Sequence, residues 1–189
     1  MQEFIAVLDF GSQYAHLISK RIRHIGAFTK IFSPSSNENS LAKAKGIVLS
    51  GGPASVNSSN VPEFNSKLLE LDKPILGLCY GHQLIAQSFG GSISNTGKGE
   101  FGKAILKHKS DSLLWENISF PNQVWMSHQD SVTKCPEEFE ITAETETGSL
   151  AALKHRQRPI FTLQFHPEVK DTSQGTICLL YTSPSPRDS

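Results

Sequence analysis

Apolar and polar positions divide this chain into two textures. Residues 4–9 form an uninterrupted apolar, β-rich run that stops at FGSQ. Over 13–24, Leu17, Ile18 and Ile22, with the adjoining Ile25, recur at helical spacing among Lys20, Arg21 and Arg23, and Gly26 closes the segment. Residues 27–32 read as a second strand, and SPSSNENS as a loop. The short run GIVLS at 46–50 is a third strand, stopped by Gly51, Gly52 and Pro53. Pro62 suits the first turn of a helix reaching to about residue 70. Residues 74–78 give another buried strand, and 81–89 another helix. After Gly90 the pattern changes to β-like runs at 101–107, 141–145, 150–154 and 160–165.

Strand and helix alternate four times before Gly90, and the strands are apolar throughout instead of alternating. Such strands belong to parallel sheets covered on both faces. The pattern therefore predicts an α/β fold: a doubly wound, mostly parallel central sheet with helices on both faces, plus a small antiparallel β extension. Its site is expected in the loops at the strands' carboxyl ends. Residues 1–177 read as one domain. The Ser/Pro-rich stretch 178–189, CLLYTSPSPRDS, breaks the pattern and reads as disordered or foreign to that domain.

Composition removes several classes. Lys+Arg and Asp+Glu number 18 each, so no net charge draws the chain to nucleic acid or an anionic membrane. No apolar run approaches the roughly 20 residues of a membrane span. The opening MQEFIAVLDFG lacks the basic region and cleavage site of a signal peptide. Three widely spaced cysteines, Cys79, Cys135 and Cys178, fit neither a disulfide framework nor a zinc site and suit a reducing cytoplasm.

The chemistry concentrates at ILGLCYGHQL. A strand, then Gly77-Leu78-Cys79-Tyr80-Gly81, then a helix make a G-x-nucleophile-x-G elbow with cysteine as nucleophile. The sharp turn needs small flanking residues. It lifts the sulfur above the sheet edge and aims the positive end of the following helix at it, which favours thiolate. The Tyr80 N–H then lies where an oxyanion would form. A thiolate mechanism also needs a base and a partner to orient it. In FTLQFHPEV an apolar strand ends just before His166, Pro167 stiffens the turn, and Glu168 can reach back to the imidazole. Gly51 and Gly52, ending another strand, permit close backbone approach and a second oxyanion N–H. Such a donor is worth about 3–4 kcal/mol in the transition state. Each element alone also has a plain structural reading: a buried cysteine, a surface His-Pro-Glu turn, a strand-ending glycine pair. His128, in the polar cluster WMSHQD, reads equally as pocket wall or loop. His82 is expected to tune the site, and Cys135 to be inert. No cluster has metal-ligand spacing.

Together SGGPASV, GLCYGHQ and FHPEV resemble the class I (triad-type) glutamine amidotransferases. LDFGSQYAHLISKRIR, CYGHQ and VWMSHQD are most similar to the glutaminase component of GMP synthases. The resemblance covers about residues 3–177. It implies hydrolysis of glutamine to glutamate and ammonia, with Cys79 as nucleophile, His166 as general base and acid, and Glu168 as orienting carboxylate. Backbone N–H groups of Gly52 and Tyr80 would form the oxyanion hole. Gly52, Gln83, Ser127, His128, Gln129 and Asp130 would hold glutamine. It implies no metal or organic cofactor for this half-reaction.

The chain carries no S-G-G-V-D-S phosphate loop, so ATP and Mg are expected on an ATP-pyrophosphatase domain or subunit that aminates XMP. The chain is then expected to be a separate glutaminase subunit or a piece of a longer enzyme. The family also has a final helix after HPEV; here SQGTICLLYTSPSPRDS begins in register and then diverges. Two other readings remain: a hydrolase of γ-glutamyl peptides on the same scaffold, and a non-catalytic glutamine-binding regulatory module.

Overall fold

The structure, a computed structural model, describes residues 2–11, 13–97 and 99–181. The first half contributes β1 (Phe4–Leu8), α1 (Tyr14–His24), β2 (Thr29–Phe32), β3 (Ala44–Leu49), β4 (Ile75–Leu78) and α2 (Tyr80–Ser88). The second half adds β5 (Ser92–Ser94), β6 (Glu100–His108), β7 (Asn122–His128), β8 (Ser131–Lys134), β9 (Phe139–Thr145), β10 (Leu150–His155), β11 (Ile160–Leu163) and α3 (Gly175–Leu180). Nine strands form one sheet in the order β2-β1-β3-β4-β11-β10-β9-β6-β7, while β5 and β8 pair separately. The first five strands in that order run parallel, and the rest pair antiparallel.

Alternate residues of the parallel strands enter two different cores, which is why these strands read as unbroken apolar runs. Ile5 and Val7 pack with Ile18 and Ile22 of α1 and Leu179 of α3 on one face. Phe4, Ala6 and Leu8 pack with Ile85 and Ala86 of α2 on the other.

Two expectations are corrected. The helix read over 62–70 is a short 3-10 turn at Ser66–Glu70, and the stretch read as a loop, SPSSNENS, leads into another 3-10 turn at Glu38–Leu41. Asn65, not Pro62, sets the start of the former. Its Oδ1 accepts from the Lys67 N–H, and its Nδ2 donates to the Ser36 carbonyl and Glu38 carboxylate, tying the two turns together. Asparagine capping of this kind competes with longer helix formation. The boundary drawn after residue 177 falls inside α3, where Cys178 and Leu179 are buried against the sheet. Residues 182–189 lie outside the described residues.

Parallel pairing decides where the chemistry sits. Leu163 is opposite Leu78, and Leu49 is opposite Gly77. The residues that follow β3, β4 and β11 therefore emerge at one sheet edge: Ser50-Gly51-Gly52, Cys79, and Gln164-Phe165-His166. The close crossing of β4 into α2 depends on glycine. A Cβ on Gly81 would lie 2.6 Å from the Leu49 carbonyl oxygen, and one on Gly77 2.7 Å from the Gly81 carbonyl oxygen. Gly81→Ala is expected to destabilise the protein by about 3 kcal/mol through overpacking against rigid main chain, read as a lower urea midpoint.

Candidate active site

Cys79 sits between β4 and α2 with φ 51° and ψ −102°, a left-handed conformation that a non-glycine residue adopts only under constraint. Strain of this kind costs about 1–3 kcal/mol and concentrates at functional positions. Its N–H donates to the Leu163 carbonyl at 2.8 Å, anchoring the turn to β11. Tyr80 opens α2, so its N–H has no acceptor within the helix.

His166 and Glu168 follow β11 and are both 1% exposed. Nδ1 of His166 lies 2.7 Å from Oε1 of Glu168. Thr172 Oγ1 donates to the His166 carbonyl at 2.6 Å, and Arg21 Nε donates to the Glu168 carbonyl at 3.0 Å. The Tyr14 ring, at the start of α1, stacks on the imidazole with centroids 4.7 Å apart. Gly51 fits the space between the two loops: a Cβ there would stand 3.1 Å from His166 Cε1 and 3.6 Å from Cys79 Cβ. The three side chains singled out from sequence thus converge at one rim.

Burial disfavours charge on His166. Hydrogen bonding and charge from the Cys79 sulfur and from Glu168 outweigh it and push the imidazole well above its ordinary value. A group whose folded pKa is raised adds stability in full below its unfolded value, about 6.5 for histidine, and loses that stability as pH climbs through the raised value. Unfolding free energy is therefore expected to fall above about pH 6.5, by at most about 1.4 kcal/mol per pH unit. Glu168→Gln should flatten that slope. Urea unfolding at pH 6 through 9 reads both.

A cavity of about 350 Å³ opens beside the sulfur. Gly52, Tyr80, Gln83, Ser127, Gln129 and Asp130 all line it, together with His128. Their side chains divide the work differently from the sequence reading. Both nitrogens of His128 are engaged, Nδ1 with the Asp130 carbonyl at 2.8 Å and Nε2 with Glu100 at 2.9 Å. This ring braces the wall and has no nitrogen left for a ligand, so any part residue 128 takes in holding glutamine falls to its main chain. Burial raises the Glu100 pKa, but the hydrogen bond from His128, then those from Thr147 and Ser149, bring it down to about 2. Gln83 donates from Nε2 to the Asp130 carbonyl at 2.8 Å and to Gln164 Oε1 at 3.1 Å. With both N–H groups engaged, Gln83 can offer a ligand only an acceptor. Asp130 takes a hydrogen bond from Ser55 and keeps a carboxylate at the wall.

His82 and Cys135 sit apart from this wall. His82 is fully buried beside Thr162 Oγ1 at 2.7 Å and faces the β11 strand. Burial first, then the nearby His128 charge, lower its pKa to about 3, so it braces the helix as a neutral ring. Cys135 is half-buried and its thiol is pushed up by that burial. Among the described residues no group of three or more His, Cys, Asp or Glu is placed to hold a metal. Sequence reasoning missed Tyr14, Glu100 and Gln164. Only Gln164 left a trace, as an amide that with Thr162 interrupts the otherwise apolar run FTLQF.

A family model described as class-I glutamine amidotransferase matches residues 6–180. The glutamine-hydrolysing GMP synthase of Petrotoga mobilis is 43% identical over 173 residues, which cover 92% of this chain and 34% of that protein. That of Pyrobaculum aerophilum is 43% identical over 180 residues, covering 93% of this chain and again 34% of the relative. The chain thus spans about a third of the length of these curated relatives. Among solved structures, a candidate GMP synthase subunit from Thermoplasma acidophilum superposes with a TM-score of 0.84 at 28% identity, over 96% of this chain and 92% of that one. A glutamine amidotransferase from Thermotoga maritima, at 18% identity and a TM-score of 0.72 over 89% and 77% of the two chains, shares the fold.

Proposed function

The chain belongs to the class-I glutamine amidotransferases, and from that premise we propose that it hydrolyses the side-chain amide of glutamine to glutamate and ammonia. The observation that carries this reading is the cysteine held in a strained turn beside a buried His166–Glu168 pair. In the proposed reaction the Cys79 sulfur attacks the amide carbon. The oxyanion gathers the N–H groups of Tyr80 and Gly52. His166, held as imidazolium by Glu168, gives its proton to the departing ammonia. It then takes a proton from the water that cleaves the thioester. Glutamine's α-ammonium suits the Asp130 carboxylate and the acceptor of Gln83. No lysine or arginine lines the described cavity, so the α-carboxylate is left to N–H groups.

The ammonia is proposed to pass to an ATP-pyrophosphatase domain or subunit that aminates XMP to GMP, and ATP and Mg belong to that partner, not to this chain. The relatives named for that overall activity support this assignment. A cytoplasmic setting is part of the same proposal, supported by three free cysteines among the described residues. No described helix is long and apolar enough to cross a membrane.

Coupled glutamate assays test the proposal. Weak basal release from glutamine, rising when a synthetase partner carries ATP and XMP, is the expected result. Full turnover without the partner would sink the coupling. Preference for a γ-glutamyl peptide would favour a peptide hydrolase, and glutamine binding without hydrolysis under any condition would favour a regulatory module.

A further inference from the structure

The Cys79 sulfur has a neighbour that the triad does not account for. Gln164, 1% exposed, lies two residues before His166 at the end of β11. Its Nε2 is 3.7 Å from Cys79 Sγ. The orientation of this amide is settled by its other end, because Oε1 accepts from Gln83 Nε2 at 3.1 Å. Gln83 is held in turn by the Asp130 carbonyl. An amide flipped the other way would set N–H against N–H at Gln83 and oxygen against sulfur. The chain of bonds therefore runs from the cavity wall to the nucleophile and ends on a donor.

The sulfur also has an opposing neighbour. As a thiol it donates to the Ser127 carbonyl at 3.6 Å, and once ionised it faces that carbonyl's negative end. The groups around it are His166 and Glu168 after β11, Tyr14 from α1, Tyr80 and His82 from α2, and His128 and Asp130 at the end of β7. His166 is the cation among them that faces the sulfur, and it must surrender its proton to the leaving group during turnover. The free thiolate, present before acylation and again as the thioester is cleaved, meets the Ser127 carbonyl's negative end, and a donor that does not titrate offsets it.

We propose that Gln164 is that donor: its Nε2–H holds the Cys79 sulfur in its anionic, attacking form and links it through Gln83 to the substrate wall. This deepens the glutaminase reading and rests on it for the role of Cys79. An amide keeps its proton at every working pH, so its stabilisation persists when His166 is neutral. A hydrogen bond to a charged group is stronger than one between neutral groups, and deleting it raises the pH at which the anion forms.

The test is alkylation of Cys79 by iodoacetamide across pH 5 to 10 without glutamine, followed by mass spectrometry of the Cys79 peptide. Gln164→Met preserves volume and removes the donor. Its pH midpoint is expected to move up by about one unit, with the high-pH plateau unchanged, so that labelling near neutrality slows by roughly tenfold. Gln164→Glu, which places an acceptor at the same point, should move it further. Gln83→Met removes the bond that orients the amide and should move the midpoint in the same direction by less, which decides the matter if the Gln164 variants do not fold. A midpoint unmoved in folded Gln164→Met, or in Gln83→Met where that variant has to decide, overturns the proposal. Because labelling needs no glutamine, a shifted profile in a protein that never releases ammonia would defeat only the glutaminase reading, and an unshifted one in an active enzyme only this proposal.

Discussion

Cys79→Ala is expected to abolish ammonia release from glutamine, by about 10⁴-fold or more, while leaving glutamine binding measurable by calorimetry. In the proposed reaction the sulfur forms the thioester, and among the described residues no other thiol lines the cavity beside His166. The cavity wall of Gln83, Ser127, Gln129 and Asp130 is held mainly by hydrogen bonds of its own, the thiol adding only a weak donor to the Ser127 carbonyl, so affinity should persist. Alanine also removes a thiol from a strained turn without changing the backbone requirement, and the fold should survive. An electrophilic glutamine analogue should label the wild type at Cys79 and leave the variant untouched. Residual turnover within tenfold of the wild type would show that another group attacks the amide.

Glu168→Gln carries the second largest expected loss, about 10³–10⁴-fold in kcat with KM little changed, by the logic of any carboxylate that holds a catalytic imidazole. Glutamine keeps nearly the same shape and can still accept from Nδ1, so the change isolates charge. His166 is 1% exposed, and charge on it is opposed by burial. Without the carboxylate the imidazolium needed to protonate ammonia is no longer favoured. The loss should appear in single-turnover acylation, and comparable kcat in the variant would remove Glu168 from the mechanism.

The elbow was legible because its requirements are local. Glycine at 77 answers a contact of 2.7 Å with the Gly81 main chain that follows from a strand turning sharply into a helix, to which the neighbouring β3 adds a contact of 2.6 Å between position 81 and the Leu49 carbonyl. His-Pro-Glu was legible as a base with its partner because the two side chains are two residues apart. The helix read over 62–70 failed because proline's preference for a first turn says nothing of Asn65, whose side chain bonds to a segment nearly thirty residues earlier. His128 read equally as pocket wall or loop from its polar neighbours, and β6 decides it by placing Glu100 directly across from it and engaging its ring.

Periodicity and close-range sterics travel with a segment, so the chain alone determined a covered parallel sheet, a cysteine on a tight turn, and a histidine with a carboxylate beside it. Which strands are neighbours is a long-range outcome, and strand order alone brought β11 beside β4 so that these groups met. The same adjacency chose the side-chain partners: Tyr14 against His166, Gln164 against the sulfur, His128 against Glu100. An amide or imidazole acquires its chemical role from what its second polar atom meets, and that atom's partner comes from a distant part of the chain.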